Sequence, residues 1–305
     1  MTKEFHQTVW DERLRQDWES LLRLAIAEDF GSLGDCTSNA LVGDEVVGRA
    51  NVVARRTGVV AGLPAVEMTL RVINGWLQWS PRTEDGRSVT AGQCVGTIEG
   101  PARGLLGAER TLLNVLGRLS GIATLTRRYA DAVADTKARI YDTRKTTPGW
   151  RRLEKYAVRC GGGHNHRGGL DEAVLIKDNH LALGARSAGV AAFTPAEAVD
   201  RAQRFVEKLG QQSAMIVEVE VDTLEQLDTV LGSRPDIVLL DNMAPEQLRE
   251  AVRRRDAAGV PVELEASGGV DLTTVRAIAE AGVDRISVGA LTHSAVALDF
   301  GLDWE

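Results

Sequence analysis

The chain has 305 residues, 44% of them hydrophobic and 26% charged, with a formal net charge of -7. This is the composition of a globular protein that is long enough for one large domain or two smaller ones. The negative charge argues against general nucleic-acid binding, because the average surface would repel a polyanion. The first residues are charged and polar, and no apolar run approaches the ~18 residues of a membrane-spanning helix. We therefore expect a soluble, cytoplasmic protein.

The cysteines give no sign of a disulfide framework. Cys36, Cys94 and Cys160 are odd in number, far apart and outside any CxxC pattern, so they do not indicate a cysteine zinc site either. We expect them to be small buried hydrophobic side chains.

The first third of the chain mixes short strand patterns with turns and one helical segment, AVEMTLRVING, which predicts a compact α/β unit. From Leu105 to about Asp135 the pattern is that of a long helix, in which Gly107, Gly117 and Gly121 are possible breaks. We expect this helix to connect the first unit to a second domain.

Six apolar strand patterns then alternate with helical ones. The strands are RIYDT, AVLIK, MIVEVEV, DIVLLDN, PVELEAS and DRISVG. Such alternation builds parallel sheets from βα units. Polar residues after the strands favour a closed or nearly closed α/β barrel over an open doubly wound sheet, and they place the active site at the carboxyl ends of the strands.

Every predicted strand is followed by polar residues or glycines. Cations follow the early strands, whereas carboxylates and glycines follow the later ones. This suggests that the two groups of residues have different roles within one site. The residues are Thr143, Arg144, Lys145, Lys177, Asp178, Asn179, His180, Glu220, Asp222, Asp241, Asn242, Ser267, Gly268, Gly269 and Gly289.

Positive charge is concentrated in residues 139–167, where eight Lys and Arg side chains stand against two acidic ones. For the helical part of this segment a solvated helix face is an equally good interpretation, because Trp150 and Leu153 have amphipathic spacing. Arg144, Lys145 and Arg167 fit that interpretation less well, since they lie beside a strand or a glycine run, where side chains tend to converge on a ligand.

Two late glycine turns leave backbone N–H groups accessible. They lie in SGGV, before a helix expected at Asp271, and in SVGALTHS, before a short final helix. A glycine there can simply permit a tight turn. Two such turns in a six-strand pattern favour a phosphate site, because α/β barrels commonly bind phosphate in this way.

In VEVEVD, strand alternation directs Glu218 and Glu220 to the same face, into the barrel. A buried, unpaired carboxylate is costly, so each needs a cation, a metal or water. Glu220, with Asp241 from the next strand, could hold Mg²⁺ shared with a phosphorylated substrate. We expect Glu218 to pair with a deeper Lys or Arg, and Glu263 and Glu265 to be structural.

His164, Asn165 and His166 form an HxH motif like that of barrel metallohydrolases. In those enzymes the pair lies on an early strand end, whereas here it follows three glycines and precedes Arg167. This setting favours anion contact over a closed zinc shell. A metallohydrolase is therefore the weaker alternative.

Nearly the whole chain carries motifs in one characteristic order. They are AEDFGSLGDCTS, GVVAGLP, ERTLLNVLGRLSGIAT, DTRKTTPGWRRLEKYAVRCGGG, NHRGGL, LIKDNH, VEVE, LLDNM, EASGG and SVGALTH. Together they resemble the quinolinate phosphoribosyltransferase family. The resemblance implies an amino-terminal α/β sandwich (hammerhead-like) domain over residues 1–118 and an incomplete α/β barrel with parallel strands over 119–292. It also implies a carboxyl-terminal segment, 293–305, that returns towards the first domain.

The reaction implied by the resemblance joins quinolinate to phosphoribosyl pyrophosphate and releases nicotinate mononucleotide, pyrophosphate and CO₂, in NAD biosynthesis. The implied protein is a homodimer with shared active sites, or a higher oligomer, in which Arg110 reaches across the interface. The residues that would bind the two quinolinate carboxylates are Arg144, His166, Arg167 and Lys177.

The resemblance also implies a site for the phosphoribosyl substrate. Lys145 would contact this substrate or quinolinate, while Glu220 and Asp241 would hold Mg²⁺ and the ribose hydroxyls. The residues implied for the phosphate are Ser267, Gly268, Gly269, Ser287 and Gly289. The implied catalytic residues are Lys145, Lys177, Glu220 and Asp241.

Three departures from the family pattern stand out. The stretch from His180 to Glu220 is long, and its extra length around GARSAGVAAF predicts a loop or a helix insertion. His164 takes a position that is usually not histidine, and Asp171 and Glu172 replace an aromatic residue or His followed by Asp.

Two other functions bear on the interpretation. A sibling phosphoribosyltransferase of the molybdenum-operon type, acting on another acid, stays open because the carboxylate-binding set would change little. The segment EDGRSVTAGQCVGTIEG resembles half of a lipoyl or biotinyl carrier domain. A carrier needs an acceptor lysine, and none lies between Lys3 and Lys137.

Overall fold

The computed structural model describes residues 3–189, 193–212 and 214–305. They divide into two compact units. The sandwich unit comprises residues 8–127, 145–163 and 291–305, and the barrel unit comprises residues 3–7, 128–144 and the described part of 164–290. None of the helices in the described ranges combines the length and the apolar character that a bilayer crossing requires.

The helices are, in chain order, α1 (Glu12–Phe30), α2 (Cys36–Leu41), α3 (Leu63–Ile73), α4 (Ala102–Ala132), α5 (Arg151–Cys160), α6 (Asp178–Ser187), α7 (Pro195–Lys208), α8 (Leu224–Leu231), α9 (Pro245–Ala258), α10 (Val275–Glu280) and α11 (Ala290–His293). The strands are β1 (Val47–Ala54), β2 (Gly58–Val59), β3 (Gln78–Pro81), β4 (Ser88–Val89), β5 (Cys94–Pro101), β6 (Arg139–Tyr141), β7 (Ala173–Ile176), β8 (Ile216–Val221), β9 (Ile237–Asp241), β10 (Glu263–Ser267), β11 (Arg285–Ser287) and β12 (Phe300–Trp304).

The sandwich unit is built on an antiparallel sheet in the order β12-β1-β5-β3. Its buried face packs against α3 and α4 in one core, to which β1 contributes Val52, β5 contributes Ile98 and the two helices contribute Leu70 and Leu112. Burial of this apolar face is the main force that holds the helices on the sheet. The predicted compact α/β unit is confirmed.

Helix α4 runs without interruption from Ala102 to Ala132, so the predicted breaks at its glycines are wrong. The glycines have a packing role instead. A Cβ at Gly117 would lie 2.9 Å from the carbonyl oxygen of Leu298, and one at Gly121 would collide with the backbone at Val296. Their missing side chains let the carboxyl-terminal segment lie directly against the helix. As expected for a connecting helix, α4 begins in the sandwich unit and ends in the barrel unit.

The cysteines are not core residues. Cys36 is exposed at the start of the short surface helix α2, and Cys94 and Cys160 are only partly buried. The prediction of small buried side chains is therefore wrong.

All six strands predicted for the second half form one parallel sheet, in the order β6-β11-β10-β9-β8-β7. Strands β6 and β7 are its two edges, yet Tyr141 of β6 and Ala173 of β7 belong to one buried cluster with Phe5. The sheet is therefore curled so that its edges approach, and Phe5 fills the space near them. This is the predicted incomplete α/β barrel.

Charged groups join the amino ends of the barrel strands. Arg285 is fully buried and pairs with Glu263, while Arg139 donates to Glu263 at 3.1 Å and to Glu4 at 2.6 Å. The structural interpretation of Glu263 is thus confirmed. A buried charge is tolerated because it is paired, and here the pairs tie the first residues of the chain to the barrel.

Helix α10 begins at Val275 rather than at Asp271. The Asp271 side chain accepts hydrogen bonds from the backbone N–H groups of Thr273 and Thr274, at 2.7 and 3.0 Å. These bonds hold residues 271–274 in a turn, which delays the helix by one turn.

Candidate active site

The carboxyl ends of the barrel strands carry most of the predicted site residues. Arg144 and Lys177 lie just beyond β6 and β7, Glu220 is the penultimate residue of β8, and Asp241 and Ser267 end β9 and β10. The other predicted residues of the barrel unit are His166, Arg167, Gly268, Gly269, Ser287 and Gly289. Because parallel strands end at the same edge of a sheet, these groups share one end of the barrel. Arg110 and Lys145 belong to the sandwich unit, and both are exposed.

Arg167 is a buried cation beside a second one. It is 7% exposed, and its Nη1 donates to the carbonyl oxygen of Ala173 at 3.1 Å. Burial lowers the pKa of Arg167, and the charge of Arg144 lowers it further. Two guanidinium groups held near each other in a poorly solvated place repel, so an anion between them would be strongly favoured. This is the binding chemistry that a carboxylate needs.

Lys177 forms an ion pair with Glu220 of the neighbouring strand. The Lys177 side chain is 44% exposed, whereas that of Glu220 is only 12% exposed. The ammonium group therefore covers the carboxylate from the solvent side and is itself accessible to a ligand. The Lys177 backbone is fixed as well, because its N–H donates to Nδ1 of His180 at 2.9 Å.

A loop that carries His166 and Arg167 is anchored by Asp142, which follows β6. The Asp142 side chain is fully buried and accepts from the backbone N–H of His166 at 2.9 Å and from Nδ2 of Asn165 at 2.6 Å. The backbone of Asn165 is held in turn by Gln7, whose side chain both accepts from its N–H and donates to its carbonyl oxygen. In the sequence Asp142 stands out only as one of the two acidic residues of the basic segment 139–167. The sequence feature that could have identified its role is its position directly after a predicted strand and just before Arg144 and Lys145.

Two buried carboxyl groups lie next to His166. Nε2 of His166 is 3.0 Å from Oε2 of Glu218 and 3.6 Å from Oε1 of Glu265. Burial raises the pKa of Glu218 to about 8 despite the opposing charges of Arg285 and Arg167. Burial, followed by the charge of Glu218, raises the pKa of Glu265 to about 7. The prediction of a Lys or Arg partner for Glu218 is wrong, because its ion-pair partner is His166, which lies on a loop that no strand pattern could place.

The two histidines of the HxH motif face different neighbours. The ring of His164 lies 5.3 Å from the ring of Tyr141, while His166 faces Glu218 and Glu265. Within the described ranges, those last three residues are the only His, Cys, Asp and Glu set whose ligand atoms lie within 4.8 Å of one another. The set is buried and includes one histidine of the motif rather than both.

Glu220 and Asp241 offer carboxylate oxygens from adjacent strand ends. Register pairs Glu220 with Leu239, which places Asp241 two residues nearer the carboxyl end of the barrel. The Asp241 side chain accepts from Nδ2 of Asn242 at 2.6 Å. One or two carboxylates that share the ion with substrate oxygens are the usual Mg²⁺ environment in proteins. The donor set therefore fits Mg²⁺.

The glycine turn after β10 requires its glycines. Gly268 and Gly269 have φ values of 96° and 59°, a region that disfavours side chains. A Cβ at Gly268 would also collide with the Asn242 side chain. Asn242 itself has φ of 52° and donates its N–H to the carbonyl oxygen of Ser267 at 2.9 Å. The turn is thus locked, with the exposed backbone of both glycines available to a ligand.

The last two predicted phosphate residues differ from each other. Gly289 is partly exposed immediately before α11, as expected for the second glycine turn. Ser287 is 5% exposed at the end of β11, where its hydroxyl partly opposes the rise that burial causes in the pKa of Glu265. Ser287 is therefore placed to contact Glu265, and its role towards phosphate stays a prediction.

The long stretch after His180 is partly helical. Helix α6 extends to Ser187 and contains the first letters of GARSAGVAAF, while residues 190–192 lie outside the described residues. At the other departure, the Glu172 side chain accepts from the N–H of Gly168 at 2.5 Å. Glu172 thereby stabilises the turn that follows Arg167.

Family models place the chain among known proteins. The model of the quinolinate phosphoribosyl transferase N-terminal domain matches residues 35–120, and that of the C-terminal domain matches residues 122–303. The chain belongs to the quinolinate phosphoribosyl transferase family. It is 44% identical to the nicotinate-nucleotide pyrophosphorylase [carboxylating] of Mycobacterium leprae over 92% of this chain and 95% of that protein. It is 37% identical to a probable nicotinate-nucleotide pyrophosphorylase [carboxylating] of Bacillus subtilis, over 93% and 92%.

A solved structure of the family has the same fold. The nicotinate-nucleotide pyrophosphorylase of Francisella tularensis superimposes with a TM-score of 0.85 at 36% identity. The superposition covers 95% of this chain and 96% of that one. Both units of the present chain are therefore within the family fold.

Proposed function

We propose that this protein is a decarboxylating quinolinate phosphoribosyltransferase, which converts quinolinate and phosphoribosyl pyrophosphate to nicotinate mononucleotide, pyrophosphate and CO₂. The observation that carries the proposal is the buried Arg167 beside Arg144, together with the accessible ammonium group of Lys177 at the end of β7. Quinolinate carries two adjacent carboxylates. Several cations on different segments of the chain can contact both carboxylates at once, which a single salt bridge cannot do.

The reaction needs alignment more than a nucleophile from the protein. The carboxylates are held by Arg144, His166, Arg167 and Lys177, which presents the pyridine nitrogen to the anomeric carbon of the sugar. That carbon becomes cation-like as pyrophosphate departs, and the carboxylates of Glu220 and Asp241 lie at strand ends suited to stabilise the developing charge. The glycine turn at Gly268 binds the 5′-phosphate through its backbone N–H groups, and Lys145 contacts one of the two substrates.

Magnesium is part of the proposal. Glu220 and Asp241 would hold Mg²⁺, which when bound neutralises charge on the leaving pyrophosphate. After transfer, the pyridine nitrogen is quaternary and positively charged. It accommodates the electron pair left on the ring carbon when the adjacent carboxylate departs as CO₂, and a proton then takes that position.

We also propose a homodimer in which Arg110 of one subunit completes the site of the other. Arg110 is exposed on α4 in the sandwich unit, while the other proposed carboxylate ligands belong to the barrel unit. A closed two-fold dimer is the commonest oligomer, and it would bring each Arg110 to the partner in the same way.

The direct test is the reaction of purified protein with magnesium, phosphoribosyl pyrophosphate and either quinolinate or nicotinate. Formation of nicotinate mononucleotide from quinolinate alone supports the proposal. Product from nicotinate, or from neither acid, would move the function to a sibling transferase with another acidic substrate. A sibling transferase would still use the glycine turn for phosphate, because only the residues that bind the carboxylates determine which acidic substrate is accepted.

A further inference from the structure

A buried carboxylate holds the loop of residues 145–147. Glu154, on α5, is 0% exposed, and its oxygens accept from the backbone N–H of Thr147 at 3.1 Å and from the Thr147 hydroxyl at 2.9 Å. Hydrogen bonds to an ionised acceptor are stronger than neutral ones. Thr147 lies two residues after Lys145, which is proposed to contact a substrate. Glu154 therefore fixes the backbone of the loop close to Lys145.

Arg118, on α4, neutralises Glu154 and also reaches a second segment. Its Nε and Nη2 donate to Oε1 of Glu154 at 3.2 and 2.6 Å. Its Nη1 donates to the carbonyl oxygen of Ala295 at 3.1 Å, and Nη2 donates to that of Thr292 as well. A buried carboxylate is tolerated when it is paired in this way. The guanidinium group therefore joins α5 to residues 292–295, at the end of α11.

Thr292 connects the loop to this second segment directly. Its side chain is 0% exposed, and Oγ1 donates to the backbone carbonyl oxygen of Lys145 at 2.7 Å. Three residues before Thr292 lies Gly289, which is proposed to bind phosphate. The two segments are thus bonded to each other through Thr292, and both are bonded to the ion pair of Arg118 and Glu154.

We propose that Arg118, Glu154 and Thr292 are positioning residues that set Lys145 and the segment after Gly289 for the phosphoribosyl substrate. The inference rests on the proposed function for the identity of that substrate. A binding group that is held by hydrogen-bonded neighbours keeps its productive geometry without the ligand. Loss of one of these bonds should therefore lower substrate affinity although the altered residue lies behind the site.

The substrate most sensitive to this arrangement should be phosphoribosyl pyrophosphate. The three positioning residues lie in the sandwich unit and hold the segment that leads from Gly289. The residues proposed to bind the quinolinate carboxylates from within the same subunit belong to the barrel unit instead. Small displacements of a binding group are costly, so a loosened segment should raise the KM for phosphoribosyl pyrophosphate more than the KM for quinolinate.

Thr292→Val tests the arrangement and leaves the buried ion pair intact. Valine lacks the hydroxyl that donates to the Lys145 carbonyl oxygen. We expect the KM for phosphoribosyl pyrophosphate to rise by roughly tenfold while the KM for quinolinate changes little. Thr292→Ser, which keeps the hydroxyl, should restore the wild-type constants.

The matched control is Thr69→Val. Thr69 is also 0% exposed in the sandwich unit, and its hydroxyl also donates to a backbone carbonyl oxygen, that of Ala65, at 2.7 Å. This variant should lose stability in urea unfolding, as Thr292→Val does, but it should change neither KM. A merely structural role of Thr292 would instead give Thr292→Val the kinetics of the control.

Calorimetric titration with phosphoribosyl pyrophosphate and Mg²⁺ gives a readout that needs no turnover. The dissociation constant should also rise by roughly tenfold for Thr292→Val. An unchanged dissociation constant, or equal rises in both KM values, would overturn the proposal. If Thr292→Val fails to fold, Arg118→Lys, which keeps the charge but has fewer donors, must show the same difference between the substrates, and equal effects on both would overturn the proposal.

The titration also separates this inference from the proposed function. Wild-type protein that binds phosphoribosyl pyrophosphate but does not use quinolinate would remove the proposed function and leave the result for Thr292 standing. Wild-type protein that does not bind phosphoribosyl pyrophosphate would remove both.

Discussion

Lys177 and Glu220 form an ion pair across the ends of the adjacent strands β7 and β8. The pair joins a residue proposed for quinolinate to one proposed for the sugar and Mg²⁺. Lys177 therefore lies where the acceptor and the donor of the transferred group must meet. Its ammonium group has three donors, enough to contact Glu220 and a substrate carboxylate together.

Replacing Lys177 with alanine should damage quinolinate use far more than stability. Loss of a charged hydrogen-bond donor predicts a rise of about tenfold or more in the KM for quinolinate. The unfolding free energy should fall by no more than about 1 kcal/mol, since the side chain is half-exposed. Steady-state kinetics and urea unfolding measure both. Lys137→Ala, which removes an exposed lysine paired with Asp284, is the control, and unaltered kinetics for Lys177→Ala would remove that residue from the site.

Arg167→Lys should also impair quinolinate binding, although charge is conserved. A lysine cannot form the planar, forked contact of a guanidinium group, and it would lose the bond to the carbonyl oxygen of Ala173. We expect kcat/KM for quinolinate to fall at least about tenfold. The same exchange at the exposed Arg249 should leave the rate unchanged. Full activity of Arg167→Lys would show that bidentate binding is unnecessary.

Gly268→Ala should disrupt the phosphate turn. Positive φ alone costs about 1 kcal/mol for alanine, and the collision with Asn242 adds to it. The matched control is Gly259→Ala, where φ is 63° and a Cβ would meet nothing within 4 Å. We expect Gly268→Ala to raise the KM for phosphoribosyl pyrophosphate while Gly259→Ala loses only stability. Equal kinetics for both variants would argue that the turn does not bind phosphate.

Glu265→Gln should change how stability depends on pH. The pKa of Glu265 is raised to about 7 in the folded protein, mainly by burial, so its proton stabilises the fold below the unfolded pKa, and this contribution is lost as pH rises through 7. Glutamine does not titrate. The variant should therefore gain stability relative to wild type between about pH 5 and pH 7, by at most about 1.4 kcal/mol per pH unit, and the difference should level off above that range.

Urea unfolding at intervals of one pH unit tests this, with the exposed Glu246→Gln as control. A difference between the Glu265 variant and wild type that does not vary with pH would contradict a raised pKa.

Shared active sites predict complementation. Arg110→Ala and Lys177→Ala should each be nearly inactive, but a mixed dimer would contain one site with both native residues. Random reassembly of equal amounts should restore about a quarter of wild-type activity. Activity that stays at the level of the single variants would mean that Arg110 acts within its own subunit or not at all.

The sequence predicted the barrel well because its signal is local. Each of the six apolar strands and the helices between them follows from periodicity and the turn residues alone. Because active sites of α/β barrels lie at the carboxyl ends of the strands, the sequence also predicts that residues such as Lys177, Glu220 and Asp241 lie together. Where local patterns competed with packing, prediction was weaker: Gly117 and Gly121 suggest breaks in α4, yet their missing side chains permit its contact with the carboxyl-terminal segment.

The contacts that surround His166 could not be predicted from local patterns. Phe5, Asp142 and Glu265 meet around His166 from the amino terminus, a strand end and a strand interior. No spacing in the sequence joins these positions. A buried carboxylate in a strand signals only that some partner exists, and the partner turned out to be a loop histidine rather than the expected lysine or arginine.

The most direct test of the account is a carbon balance with quinolinate labelled by ¹³C in the carboxylate next to the nitrogen. With magnesium and phosphoribosyl pyrophosphate, we predict one labelled CO₂ for each nicotinate mononucleotide formed, and no label in the nucleotide. A labelled nucleotide without CO₂, or CO₂ release that needs no phosphoribosyl pyrophosphate, would contradict a transfer that makes the nitrogen quaternary before the carboxylate leaves.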